Sequence, residues 1–528
     1  MSVPAKKKKN FFKKIFGIIF SRTTITLVLI LIQVAAIAVL LVFLTDENSE
    51  IFQYVYLGIR FLAFIVAIII ANHRMEASYK ISWLLLILVF PTFGIVCYLL
   101  FANKKFTKKE KARAVPMLSK FEVLAKKHDS MVDITDLYNV EDIQIYNIAN
   151  YLRKSSVSLI YRNTNVEYYP WGELGFPIML EKLRTAKDFI FMEYFIISEG
   201  HMWDQILEIL KQKASEGVEV RLIYDDLGCK DLPGSYPEEL AKFGITAYRY
   251  APLRPILDIR MNNRDHRKIL VIDGLYGFTG GINIADEYIN EIERFGRWKD
   301  NVIKVEGHGV AGLTAIFLSN WLFVSKDDDT PVSKYIAPSM ANKVKNDGYF
   351  IPYCDVPYNY EPVGENVYIN LALKASRLLY ITTPYLILDQ ALLNALCLAA
   401  KNGVDVRLVM PGIPDKKNVF TLSRSFYKPL YEAGVKIYEY QPGFIHQKVF
   451  LVDDKIATVG TINLDFRSLY LHCENGTVMY KSQCIKDIHD DFVEMIKESH
   501  RIDDKDIYKR NIFLRIWQGI LKIFAPMM

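Results

Sequence analysis

Cysteine is sparse and scattered in this 528-residue chain. Cys97, Cys229, Cys354, Cys397, Cys473 and Cys484 form no C-x-x-C pair, so neither a disulfide framework nor a zinc site is suggested, and reduced, cytosol-facing thiols are the default. Histidine is scarce as well, nine in all, which makes any regular spacing among them informative. No glycine-rich phosphate loop occurs, which argues against a nucleotide-driven reaction. The net charge is only +6. The globular part shows no dense basic stretch of the kind a nucleic-acid groove with interleaved aromatics would need, so no nucleic-acid partner is expected.

Apolar residues, by contrast, are concentrated at one end. Runs at 24–44, 51–71 and 81–101 dominate the first ~105 residues, whereas the rest has the mixed composition of a soluble α/β protein. Each run is long enough to span a bilayer. The first lacks the small-residue cleavage site of a signal peptide. Basic residues cluster before them (6–9, 13, 14, 22) and after them (104–113), where they fit anionic headgroups or serve only as topology determinants. Both flanks point to the cytoplasm, which demands an even number of crossings, yet there are three runs. Either one of them dips and returns, or the charge rule is violated. Pro91 favours the third and Arg60 makes the second a rival. A multi-pass protein of the cell membrane with a cytoplasmic catalytic part is expected.

The remainder repeats itself. After a connector at 106–150, residues 188–197 read as a buried strand, followed by a helical stretch and then Gly217-Val218 leading a second strand; residues 377–387 begin the same order, with Gly403-Val404 in the equivalent place. Strand, helix, Gly-Val, strand is the pattern of a parallel βαβ unit. Two α/β halves are expected, at 151–330 and 345–500, joined through the polar segment 326–347.

Each half then delivers one constellation. The first has His266-Arg-Lys268 with Asp273 and, downstream, Gly280-Gly281-Ile-Asn283; the second has His446-Gln-Lys448 with Asp453 and Gly460-Thr-Ile-Asn463. One H-x-K-x4-D match arises by chance in roughly 0.04 chains of this composition, so two with matching followers are a strong signal. Residues i and i+2 of a strand share a face, so each His and Lys point together. Two such pairs related by an approximate two-fold axis place two imidazoles and two ammonium groups around one anion. A phosphodiester suits that pocket. Lys268, Lys448, Asn283 and Asn463 can bind its non-bridging oxygens. One imidazole can attack phosphorus while the other protonates the leaving alkoxide. Asp273 and Asp453 belong to the motif, but each closes an apolar strand in turn-like sequence, and turn or cap duty accounts for them equally well.

At these residues the chain resembles the phospholipase D superfamily, whose signature is the doubled H-x-K-x4-D motif; the resemblance covers roughly residues 150 to 500. Gly460-Thr-Ile-Asn-Leu-Asp-Phe-Arg-Ser-Leu-Tyr-Leu-His-Cys-Glu474, Arg297-Trp-Lys-Asp300 and Phe90-Pro-Thr-Phe-Gly-Ile are similar to segments of bacterial cardiolipin synthases. The resemblance implies two pseudo-symmetric halves forming one catalytic unit behind a transmembrane helical region. It implies a phosphohistidine intermediate on His266 with His446 as general acid and base, or the reverse. It also implies that Glu474 orients a motif histidine and that Asp300 does the same in the first half. Gln447 departs from the family, which commonly has a small residue there, but its side chain should point to the opposite strand face.

The implied reaction joins two phosphatidylglycerols, releasing glycerol, with no metal and no cofactor. Consistently, the D-x2-D-G-x2-A-R pattern of enzymes that use CDP-diacylglycerol is missing. A membrane phospholipase D releasing phosphatidic acid and a membrane-tethered nuclease stand as alternatives, and the motifs give no oligomeric state. In the segment 505–528, Ile512, Phe513, Ile516, Ile520 and Ile523 share one helical side, with Lys509, Arg510, Arg515 and Lys522 largely elsewhere. That pattern fits an interfacial helix or one packed on the globular part.

Overall fold

The computed structural model describes residues 50–101, 143–253 and 262–527, apart from 74, 328, 329, 346, 359, 360 and 510, with a few positions between 28 and 39. Most of the run 24–44, both basic clusters and most of the connector lie outside the described residues. The chain separates into two units, one of residues 1–105 with 251–262, the other of 106–250 with 263–528.

In the first unit, helices α1 (Glu50–Asn72), α2 (Ala77–Val89) and α3 (Pro91–Phe101) follow one another. The run 81–101 is therefore two helices. A residue before proline avoids the helical region, so the chain breaks at Phe90 and turns back, bringing Trp83 and Tyr98 edge to face at 5.5 Å. Gly94 permits the turn, because a Cβ there would stand 2.6 Å from the Ile87 Cα. Ala63, Ile70, Trp83, Ile87 and Ile95 pack together, whereas Phe61, Phe64, Leu88 and Phe90 are exposed. Among the described residues no helix is long and apolar enough to cross a membrane; the side chains at 51–53 and 55 of α1 are not among them.

The second unit is built on two mixed sheets. The first contains β1 (Thr164–Tyr169), β2 (Phe189–Tyr194), β3 (Glu219–Asp225), β4 (Ile245–Tyr250), β5 (Lys268–Ile272), β6 (Tyr276–Gly280) and β8 (Val302–Gly307), in the order β1-β8-β6-β5-β2-β3-β4, with β7 (Arg297–Lys299) outside it. β2, helix α4 (His201–Ser215) and parallel β3 form the anticipated βαβ unit. Every residue of β2 is buried, as in a strand covered on both faces. Helix α5 (Gly309–Ser325) is buried almost all round. Gly312 lets it approach Pro352, which a Cβ would meet at 2.3 Å.

The second sheet repeats the order with one further edge strand, β17, as β17-β12-β11-β10-β14-β15-β16-β9. Its strands are β9 (Tyr349–Asp355), β10 (Leu378–Thr382), β11 (Asp405–Pro411), β12 (Lys436–Tyr440), β14 (Val449–Val452), β15 (Ile456–Gly460), β16 (Glu474–Tyr480) and β17 (Ser499–Arg501), with β13 (Gly443–Ile445) outside. Helix α6 (Gln390–Lys401) joins parallel β10 and β11, and α7 (Cys484–Lys497) follows β16. Strands β5 and β14, which lie within the two motifs, run antiparallel to β2 and β10. The segment 326–347 is more than a link: its helix Val332–Ala341 lays Tyr335 on Phe189 and Phe191 at 5.1 and 5.0 Å.

Candidate active site

His266 and His446 stand just ahead of β5 and β14 rather than within them. Each donates its backbone N–H across the pseudo-two-fold axis, His266 to the Cys473 carbonyl and His446 to the Lys299 carbonyl, both at 2.8 Å. Nearby, β7 pairs with β13 and Asp265 bridges Cys473. The halves are thus joined at the two histidines.

Their rings are held across the same axis. His266 Nδ1 bonds Glu474 Oε2 at 2.9 Å, and His446 Nδ1 bonds Asp300 Oδ2 at 2.7 Å. Asp300 therefore serves the second half's histidine, not its own, because the β7–β13 pairing carries it over. A carboxylate only accepts, so each Nδ1 carries the proton and each Nε2 keeps its lone pair. Burial pushes His266 down to about 3 and His446 to about 4, against the pull of Glu474 and Asp300. Both are neutral bases at physiological pH. Burial would raise the Glu474 carboxyl, but His266 and His472 more than offset this and hold it well below the usual carboxylate range.

Lys268 and Lys448 are buried at the start of their strands and fold back to donate to the carbonyls of His266 (2.6 Å) and His446. Burial lowers Lys268 to about 7 and Lys448 to about 8. The charges acting on Lys268 include Lys448 and Asp300, and those acting on His446 include Lys268. The four motif side chains accordingly share one electrostatic environment.

The remaining motif residues divide. Asp273 lies at the far end of β5, at φ 53°, and accepts the N–H groups of Lys187, Asp188 and Phe189, each at 2.8 Å. Asp453 does the same for Ser376, Arg377 and Leu378 at 3.0, 2.7 and 2.9 Å. As motif residues Asp273 and Asp453 are candidates for a catalytic part, but five residues of strand, about 16 Å, separate Asp273 from the imidazole, and both carboxylates bond the backbone at the entry to β2 or β10. Asn283 is largely committed, its oxygen to the Ile196 N–H (3.1 Å) and its amide to the Tyr288 hydroxyl (2.6 Å). Asn463 is different, with a buried Oδ1 that has no partner. Arg267 and Gln447 do turn away from the site, to Glu193 and Met495.

Several neighbours escaped the motif reading. Trp298 lies against His446, ring centres 5.6 Å apart and planes tilted by 45°, and His472 lies against His266 at 5.6 Å and 43°. They are two-fold equivalents, so a third imidazole stands in the site, its Nδ1 3.6 Å from Glu474 Oε1. Gly281 and Thr461 are likewise equivalent. A Cβ on Gly281 would lie 1.8 Å from Asp300 Oδ1, while Thr461 donates its hydroxyl to Glu474 Oε2. The signal was present in the Trp-Lys-Asp-Asn and His-Cys-Glu-Asn segments. It was obscured because 19 residues separate Gly281 from Asp300 but only 13 separate Thr461 from Glu474.

Two sheets that each bring a histidine and a lysine to one buried site, with a carboxylate from the opposite half behind each imidazole, define a phospholipase D-like unit. The family model described as "Cardiolipin synthase, PLD-like domain" matches residues 179–309 and again 368–496, and "Phospholipase_D-nuclease N-terminal" matches 61–103. Among curated relatives, "Cardiolipin synthase 2" of Bacillus cereus is 34% identical over 88% of this chain and 90% of its own length. An "Uncharacterized protein" of Streptococcus mutans is 45% identical over 87% and 98%. The solved phosphatidylserine synthase of Haemophilus influenzae shares the fold, with a TM-score of 0.53 at 16% identity over 72% of this chain and 97% of that one. The chain belongs to the PLD-like cardiolipin synthase family.

Proposed function

We propose that the protein is a cardiolipin synthase that transfers a phosphatidyl group from one phosphatidylglycerol to the hydroxyl of a second. His446 enters the first step as the imidazolium, its second proton taken up at Nε2 as the anionic phosphodiester binds beside it and Asp300 holds Nδ1–H. His266 Nε2 attacks phosphorus, the bond to the glycerol oxygen breaks, and His446 Nε2 gives that oxygen its proton. His446 then takes the proton of the second glycerol hydroxyl, which attacks phosphorus and releases His266. Lys268 and Lys448, with Asn463, bind the non-bridging oxygens through both steps. The observation that carries this reading is the pair of crossed imidazole–carboxylate contacts, which leaves two Nε2 atoms free. Deep burial of all four motif side chains favours an alcohol over water as acceptor.

Membrane attachment is part of the reading. By sequence length alone the apolar run 24–44, most of it outside the described residues, suffices for one crossing and the full length of α1 for another, and the α2–α3 hairpin dips and returns. Crossings are then even and both basic flanks stay cytoplasmic. Exposed Phe61, Phe64, Leu88 and Phe90 support lipid contact. The test is product analysis with labelled phosphatidylglycerol: labelled cardiolipin with free glycerol supports synthase activity, and phosphatidic acid as the dominant product refutes it in favour of a hydrolase.

A further inference from the structure

The last helix, α8 (Ile512–Phe524), settles on the globular part by a narrow stripe. Leu521 and Ala525 are buried, Gln518 Nε2 donates to the Thr421 carbonyl at 3.0 Å, and Lys522 lies over the Phe426 ring at 4.7 Å. The stripe takes up little of the helix's apolar surface. Phe513, Ile516, Trp517, Ile520 and Phe524 follow the spacing i, i+3, i+4, i+7, i+11 and form a second face, on which Phe513 is 76% exposed and Phe524 48%. Packing among the described residues leaves it exposed.

We infer that this face is an interfacial membrane anchor, which lies in the headgroup–acyl boundary of an anionic bilayer and holds the catalytic cleft at headgroup depth. This rests on the phospholipid substrate proposed above. Charge selects the occupant: α8 has no acidic residue, its cations Arg515 and Lys522 lie on the side opposite the apolar face, as the polar face of an interfacial helix requires, and Lys417 on the neighbouring helix and Lys509 ahead of α8 are exposed. A basic apolar helix with an exposed tryptophan is suited to anionic lipid. Its footing explains the consequence for catalysis. α8 stands on helix Lys417–Ser423, whose leading loop contains Asp415. The turn after α8 meets helix Phe466–Tyr470, which Asp465 caps. Asp415 and Asp465 both act on Lys448, so the anchor is fixed to the elements that border the second lysine.

The full chain and its Phe513→Asp/Trp517→Asp variant are compared on phosphatidylglycerol vesicles and on a short-chain phosphatidylglycerol dispersed as monomers. At least a tenfold loss on vesicles with monomer turnover kept within twofold supports the anchor; unchanged turnover on vesicles, or an equal loss on both substrates, overturns it. In vesicles with brominated acyl chains, the Trp517 emission, isolated as the difference from Trp517→Phe, should be quenched. Unquenched emission overturns the anchor. A wild-type chain that makes no cardiolipin from either substrate overturns the functional reading instead and leaves the quenching result standing.

Discussion

Gly281→Ala isolates one histidine from the other. Gly281 is outside the left-handed region, so alanine is conformationally allowed, and the effect is steric. The new Cβ would lie 1.8 Å from Asp300 Oδ1 and 2.7 Å from its Cγ, and relief to van der Waals contact needs a shift of about 1.5 Å. Asp300 is fully buried and bonds His446 at 2.7 Å, so such a shift takes the pair beyond hydrogen-bond range. Loss of a charge-assisted bond costs about 1.5–3 kcal/mol, which is roughly a 10- to 150-fold loss of turnover if it is felt in the transition state. The assay compares phosphatidylglycerol with a phosphatidyl ester of p-nitrophenol, whose leaving group needs no protonation. With His446 as the acid, the defect in forming the intermediate should largely vanish on the activated ester. Thr461→Val, which removes a donor to Glu474 behind His266, should be impaired on both substrates. Wild-type turnover in Gly281→Ala would refute the packing argument, and rescue of Thr461→Val but not Gly281→Ala would exchange the roles of the histidines.

Asp273→Ala should lower stability by about 3 kcal/mol, since three backbone donors lose a charged acceptor, with little change in turnover per folded molecule; denaturant unfolding beside an activity assay separates the two, and a purely catalytic loss would restore Asp273 to the active site. The pH profile follows from the shifts in the free enzyme. Lys268 and Lys448 lose their protons near 7 and 8, so kcat/KM should fall as pH rises through that window. The acid form of His446, which takes its second proton near 4 in the free enzyme, is depleted over the same rise in pH, and on the acid side the rate should fall only near 3, where His266 gains a proton and can no longer attack. A profile flat from 6 to 9 would show that the ammonium charges do not bind the phosphodiester.

The doubled motif exposed the four reacting side chains because their spacing within each half is local and identical. The carboxylates were harder to place. Glu474 and Asp300 reach the histidines across the axis, and pairing across chain halves leaves no fixed sequence offset. The same holds for His472, whose part in the site shows only in its equivalence with Trp298. Asp273 and Asp453 show the opposite failure. They keep a constant offset from the histidines because the intervening strand has a constant length, so a structural residue inherits the regularity of a catalytic motif. The hairpin at Phe90–Pro91 was legible in Pro91, and the exposure of α8 was not, because an amphipathic pattern specifies an apolar face without specifying what covers it.

The most direct test of two imidazoles acting on one phosphorus is a rapid quench with phosphatidylglycerol labelled in the phosphatidyl group, performed on His266→Ala and His446→Ala. Both should lose cardiolipin formation, with labelled phosphatidyl-enzyme trapped on His266 in the His446→Ala protein and no covalent label in His266→Ala. Wild-type turnover in both variants would contradict the account.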